Sequence, residues 1–307
     1  MFEQNGRKWA LSQYYHSKDH YHKDYIKCLS RPHRKILKSI PAGLAYVSEA
    51  NAVYIHSLAG EVVIASESLE KFYYFMSIAL YGDEFSIPLI DRCHAIIIAI
   101  RIMLGSESLD FDLDPRGTLP SEIERGLGIL VRHQMQFTFG HEYAHLLCKH
   151  IPSPQSIAKK KQPDVHSAHL KDIRIFSYEM EYEADLYALR NIQKKDKVYS
   201  QISQGAFSVL LYLNFLEKTL DELGLKKFSI SMTHPSPLDR IKNLQRRLGK
   251  KVFVSERQLE FYLNILEEMK DTFIYQVKDN KNDVLTSYGS VYLPSYKSKI
   301  KQDRYDF

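Results

Sequence analysis

The chain has 307 residues, of which 44% are hydrophobic and 26% charged; this is globular composition and excludes a disordered or fibrous protein. Its three cysteines, Cys28, Cys93 and Cys148, form no CxxC pair, which excludes a zinc ribbon or disulfide framework and points to a reducing compartment. The formal net charge is +5, yet residues 1–40 alone hold nine Lys/Arg against three Asp/Glu, so the remainder is nearly neutral. No RNP, helix-turn-helix or finger signature accompanies this basic arm, which argues against nucleic acid as the partner.

The first twenty residues contain no apolar stretch long enough for a signal peptide. The most apolar window, Ala95–Leu104, includes Arg101 and falls well short of the roughly 20 residues a membrane span needs. A soluble cytoplasmic protein without membrane insertion is expected. Within residues 43–66, "AVYIHSLAGEVVIAS" reads as a β-hairpin. From Ser66 to Leu80 the period turns helical, with Leu69, Phe72, Tyr73, Met76 and Leu80 on one broad face. A second helix is expected over about 86–104, followed by an acidic, Gly/Pro-containing connector over 105–120 that suits a boundary.

Ser121 with Glu124 three residues later reads as a capping box opening a long helix to about Lys149. Gly126, Gly128 and Gly140 weaken that helix and suggest a close approach by another backbone or an ion. A Pro- and Lys-containing loop over 151–172 precedes helices expected at 176–193, 204–223 and 236–248. The last has Ser236 as N-cap, Pro237 at its first position and Asp239 in its first turn. A final helix spans 255–270, and the tail after Asn280 reads as strand or coil.

The long helix contains "FGHEYAHLLCKH", an HExxH motif at His141–His145. Residues four apart on a helix share a face, so His141 and His145 can address one ion, with Glu142 beside them as a proton acceptor. Two imidazoles suit Zn²⁺. Nine helical residues separate His150 from His141 and place it on the opposite side. A hydrolytic zinc site needs a third protein ligand and an open position for water. Two carboxylate pairs compete for that role in "FSYEMEYEADLYALR": Glu179 with Glu183, and Glu181 with Asp185. Ala184 and Ala188 flank the second pair and permit close helix approach, which favours Glu181 as ligand and Asp185 as hydrogen-bond acceptor for a ligand histidine.

"HEYAH" followed by "EYEAD" resembles the gluzincin metallopeptidases, and the later "MTHPSPLDRI" is similar to the CaaX-prenyl-protease/HtpX-like group. The resemblance covers about residues 121–249 and implies His141, His145 and Glu181 as ligands of one Zn²⁺, Glu142 as base and Asp185 behind a ligand. His234 and Arg240 match the later element. Unlike those membrane peptidases the chain shows no transmembrane segment, and its architecture is similar to the Lit-type phage-exclusion proteases.

The expected fold is α+β and mainly helical, a zincin-like core with a small β-hairpin or sheet edge. Residues 1–40 form the basic arm, 41–119 an N-terminal α+β subdomain, 120–249 the zinc metallopeptidase core and 250–307 a C-terminal helix and tail. The expected function is a soluble zinc endopeptidase acting on an intracellular protein or peptide, subject to an activating partner or regulator. Glu142 serves as general base; His234, with Arg240 or a tyrosine behind it, stabilises the oxyanion. An extended substrate pairs with an edge of the 52–65 hairpin. The alternative is a regulatory module that keeps its metal for structure and binds an acidic partner through the arm; a fourth ligand such as His234 would close such a site. His16, His20 and His22 belong to a mobile arm in this reading, His166 and His169 to a surface loop, and Cys148 is a packing residue.

Overall fold

The alternating stretch at 52–66 folds into the expected hairpin, and a strand that the pattern did not announce completes its sheet. The computed structural model describes residues 2–4, 7–9, 20–47, 49–57, 60–150, 176–193, 196–225, 234–249 and 254–296. The expectations for His16, His166, His169 and the 151–172 loop lie outside the described residues. A short antiparallel ribbon pairs β1 (Phe2–Gln4) with β2 (Arg7–Trp9). Helices α1 (Tyr21–Lys27) and α2 (Arg31–Leu37) follow. Next come β3 (Ala42–Ala45), β4 (Ala52–Ser57) and β5 (Gly60–Ser66), in the sheet order β3-β5-β4. β3 runs parallel to β5 and β4 antiparallel to it.

Among the described residues the long elements that follow are α-helices: α3 (Glu67–Tyr81), α4 (Leu89–Leu104), α5 (Ser121–Leu147), α6 (Tyr178–Arg190), α7 (Asp196–Glu222), α8 (Pro237–Leu248) and α9 (Glu256–Val277). The fold is the expected mainly helical α+β. No described helix is long and apolar enough to cross a membrane. Ser66, Ser177, Ser236 and Ser255 cap α3, α6, α8 and α9 by accepting a backbone N–H three residues on. The box expected at Ser121 does not form. Pro120 stands at the cap, Ser121 is already helical, and Glu124 accepts a 2.7 Å hydrogen bond from the Tyr74 hydroxyl.

Two stretches expected to be loose are built into the fold. In the second half of the basic arm, α1, α2 and the turn between them bury Tyr21, Tyr25, Ile26, Leu29 and Leu37, so its basic residues ride on helices seated against the core. Within the connector, buried Glu107 accepts from Arg101 Nε and from Arg116 Nε, both at 2.7 Å. Arg101 also donates to the carbonyls of Val284 and Ser287, which anchors the C-terminal segment. Among its described residues that segment forms short helical turns, where strand or coil was expected.

Helix α5 is the axis of the molecule, packing against α1, α3, α6, α7 and β4. Gly126 and Gly140 make room for the Phe85 and Tyr25 side chains, whereas a Cβ on Gly128 would meet nothing within 4 Å. A Cβ on Gly140 would lie 2.6 Å from the Tyr25 ring, and the Tyr25 hydroxyl donates 2.8 Å to the Ala188 carbonyl of α6. Tyr25 thus wedges between the two helices that carry the motif residues, and Gly140 makes room for it. On α7, Gly205 lets that helix meet the His133 backbone, 2.5 Å from where a Cβ would stand.

Gly140→Ala tests the wedge with an opposite sign from helix propensity. Ala would gain about 1 kcal/mol in an unobstructed helix; against the Tyr25 ring it should cost about 1–3 kcal/mol. Urea unfolding of the two proteins reads the sign directly.

Candidate metal centre

Helical periodicity puts His141 and His145 one turn apart on α5, and the structure turns their Nε2 atoms to face each other at 3.1 Å. Helix α6 packs against α5 with its Ala184 and Ala188 buried, and this packing delivers Glu181. Its Oε2 lies 3.4 Å from His141 Nε2 and its Oε1 3.6 Å from His145 Nε2. Glu181 and Asp185 are fully buried, whereas Glu179 is exposed and the Glu183 side chain remains 57% exposed. Of the two carboxylate pairs, Glu181/Asp185 is the one that meets His141 and His145.

Asp185 accepts from His141 Nδ1 at 2.9 Å and receives a two-pronged bond from Arg240, Nε to Oδ2 at 2.7 Å and Nη2 to Oδ1 at 2.6 Å. Arg240, on the first turn of α8, thus stands behind Asp185 and not behind His234. His234 lies just before α8, with Nδ1 2.7 Å from Glu181 Oε2 and its side chain 34% exposed. Glu142 is buried and accepts the Tyr54 backbone N–H at 2.7 Å, so the β4 backbone reaches the candidate base directly. No sequence signal links Tyr54 to Glu142; their contact depends on how the sheet docks on α5.

His150 stays out of the His141/His145/Glu181 group, as expected, but not because the helix continues to it. α5 ends at Leu147, and Lys149 takes a left-handed φ of 55°. The chain doubles back, placing His150 Nδ1 2.9 Å from His145 Nδ1 and its Nε2 3.1 Å from Glu183 Oε2. Phe176 stacks on the His145 ring at 3.8 Å. His22 also departs from a loose-arm role: it is buried, with Nδ1 3.1 Å from the Tyr143 hydroxyl. Burial, reinforced by Glu183, raises the Cys148 thiol to about 11, which argues against a nucleophile.

The side chains fit a cation. Ligand atoms of His141, His145 and Glu181 lie within 4.8 Å of one another, and the buried Glu181 Oε1 has no hydrogen-bond partner. Two nitrogens and a carboxylate oxygen form a donor set suited to Zn²⁺. Among the described residues His234 is not a member of that three-residue set. Without a cation the charges are tightly coupled. Burial disfavours a charge on His141, yet its bonds to Asp185 and Glu181 outweigh burial and lift its pKa to about 10. Burial also opposes ionisation of Glu181 and Asp185, but the His141 and His234 hydrogen bonds hold Glu181 low, and Arg240 does the same for Asp185. Burial and the neighbouring His141 charge push His145 well down. Glu142 is shifted up, by burial first.

Residues 164–248 match the model of peptidase family M48. That match supports a zinc metallopeptidase. It spans Glu181, Asp185, His234 and Arg240 and begins beyond the HExxH segment. No curated protein is significantly similar to the chain, and neither is any solved structure.

His141 carries its proton below about pH 10, and a metal ion must displace that proton. Zinc binding at neutral pH should therefore release close to one proton, and affinity should rise by about tenfold per pH unit, levelling off above that pKa. Calorimetry in buffers of different ionisation enthalpy measures the proton count. A count of zero across neutrality would remove His141 as the displaced group.

Proposed function

We propose that the chain is a zinc endopeptidase in which His141, His145 and Glu181 hold one Zn²⁺ and Glu142 is the general base. What carries this reading is the meeting of two imidazoles and an unpartnered Glu181 oxygen next to a buried carboxylate. A zinc ion at this position supplies Lewis acidity, making water acidic near neutral pH and polarising the scissile carbonyl. Asp185 keeps the His141 proton on Nδ1 and its Nε2 lone pair available, and Arg240 holds Asp185 in place.

Glu142 takes a proton from the attacking water and passes it to the leaving amine. Its raised pKa suits both directions of transfer, since a catalytic base works best near the operating pH. The Tyr54 N–H holds the carboxylate in place during both. His234 stands beside Glu181, partly exposed and anchored through Nδ1; its Nε2 is the donor to the tetrahedral oxyanion. An extended peptide lies along β4, the sheet edge opposite β3, where main-chain pairing aligns it independently of its side chains. The substrate is a cytoplasmic protein or peptide, and a partner that exposes this edge is a means of activation. The ExxAD and His-Pro elements both lie within the matched residues, in keeping with the CaaX-prenyl-protease/HtpX-like group. The match does not favour a regulatory module without protease activity.

Two substitutions test the roles separately. Glu142→Gln should retain zinc at wild-type stoichiometry and abolish formation of new N-termini in cells expressing the protein; continued proteolysis would defeat the assignment. His234→Ala should keep zinc and lower kcat by about 10²–10³, with KM little changed. Unaltered kcat removes His234 from the oxyanion site.

A further inference from the structure

A second group of potential ligands lies behind His145, on the side away from His141. Cys148 follows the last turn of α5, His150 comes back through the left-handed Lys149, and Glu183 faces them from α6. Ligand atoms of these three residues lie within 4.8 Å of one another. The His150 ring is almost wholly buried, Cys148 is half-buried and Glu183 is open to solvent, so an ion can enter from the Glu183 side and keep water as a further ligand. Thiolate, imidazole and carboxylate together suit a borderline-soft divalent cation.

We propose that Cys148, His150 and Glu183 form a second metal site, for Zn²⁺ or Cd²⁺, and that its occupation opposes that of the His141/His145/Glu181 site. The opposition rests on the zinc reading given above; the second site itself does not.

The antagonism comes from counting protons along one line of hydrogen bonds. His145 presents Nε2 to His141 and Glu181, so as a ligand it carries its proton on Nδ1. That proton is donated to His150 Nδ1 at 2.9 Å. His150 then has its own proton on Nε2 and donates it to Glu183 Oε2 at 3.1 Å. In this state Glu183 supports His145 through His150, much as Asp185 supports His141 directly.

A cation held by Cys148 and Glu183 reverses the arrangement. It takes His150 through Nε2, so the remaining imidazole proton moves to Nδ1, while the Cys148 thiol gives its proton to solvent. Two N–H donors then face each other across 2.9 Å. Either His150 turns away and His145 loses its support, or His145 moves its proton to Nε2 and can no longer act as a ligand. By reciprocity, an ion at the first site weakens binding at the second to the same degree.

Sulfur separates the two sites spectroscopically, because only the second contains a thiolate. The metal-free full-length protein is titrated with Cd²⁺ while the ultraviolet thiolate-to-cadmium charge-transfer band is followed. The proposal expects a saturable band in wild type that Cys148→Ser and Cys148→Ala abolish and that Cys28→Ser and Cys93→Ser leave in place. Glu183→Gln should shift the midpoint to higher cadmium. Circular dichroism establishes that each variant is folded. No band in wild type, or a band that survives both Cys148 variants, overturns the second site.

Antagonism is read by repeating the titration on zinc-loaded wild type and on Glu181→Gln, whose first site is disabled. The midpoint should fall to lower cadmium in Glu181→Gln, and equal midpoints overturn the antagonism. Wild type that retains no zinc while showing the Cys148-dependent band supports the second site and defeats the proposed zinc peptidase.

Discussion

Asp185 is a carboxylate with no exposed surface, held between the His141 ring and the Arg240 guanidinium. Removing such a group from water is costly unless every lone pair is engaged. Here the engagement comes from two other helices: α5 supplies His141 and α8 supplies Arg240. The three helices are therefore tied at one point, and that point lies immediately behind a candidate metal ligand. Any arrangement that separated α6 from α5, or α8 from α6, would strand a buried charge. The constraint that fixes the ring of His141 is thus also one that fixes the helix packing.

The rest of the molecule keeps that junction narrow. Ala184 and Ala188 let α6 come close, Gly140 leaves space for the Tyr25 ring, and the Tyr25 hydroxyl closes on the Ala188 carbonyl. Tyr25 belongs to the segment whose charge suggested a separate arm. Its burial shows that charge along a segment says little about attachment, because lysine and arginine can face solvent from a helix whose other side is apolar. On the far side of the molecule, Arg101, Glu107 and Arg116 do for the connector and C-terminal segment what Asp185 does for the site. Arg101 and Glu107 are buried charges with partners in the distant C-terminal segment, while Arg116 bonds within the connector itself.

The two histidines of the HExxH motif have unlike surroundings. His141 is backed directly by a carboxylate, and that contact lifts its pKa. His145 is backed by another imidazole, with Phe176 stacked on its ring, and is depressed. Neutral His145 is ready to bind an ion, while His141 must first release a proton. The imidazole partner of His145 arises where α5 stops. Had the helix continued past Leu147, His150 would have pointed away and His145 would have lacked this partner.

Regular elements and the His141/His145 face were legible in the chain because helical geometry repeats every 3.6 residues and requires no knowledge of distant segments. The serine cap at Ser236 and the hairpin at 52–66 are likewise local, set by neighbours within a few residues. Even there, Ser121 shows the limit, since Tyr74 claims the glutamate that a capping box needs. The choice of Glu181 over Glu179 could be argued from two alanines, but burial decided it.

By itself, then, the sequence determined the mainly helical α+β character, the shared face of His141 and His145, and the residue types available to bind a cation. Only the tertiary structure decided that Arg240 serves Asp185, that the Tyr54 N–H holds Glu142, and that His150 returns to His145. These are contacts between side chains and backbone brought together by packing, across separations of up to 88 residues. A backbone reversal such as that at Lys149 leaves no period for a sequence pattern to carry.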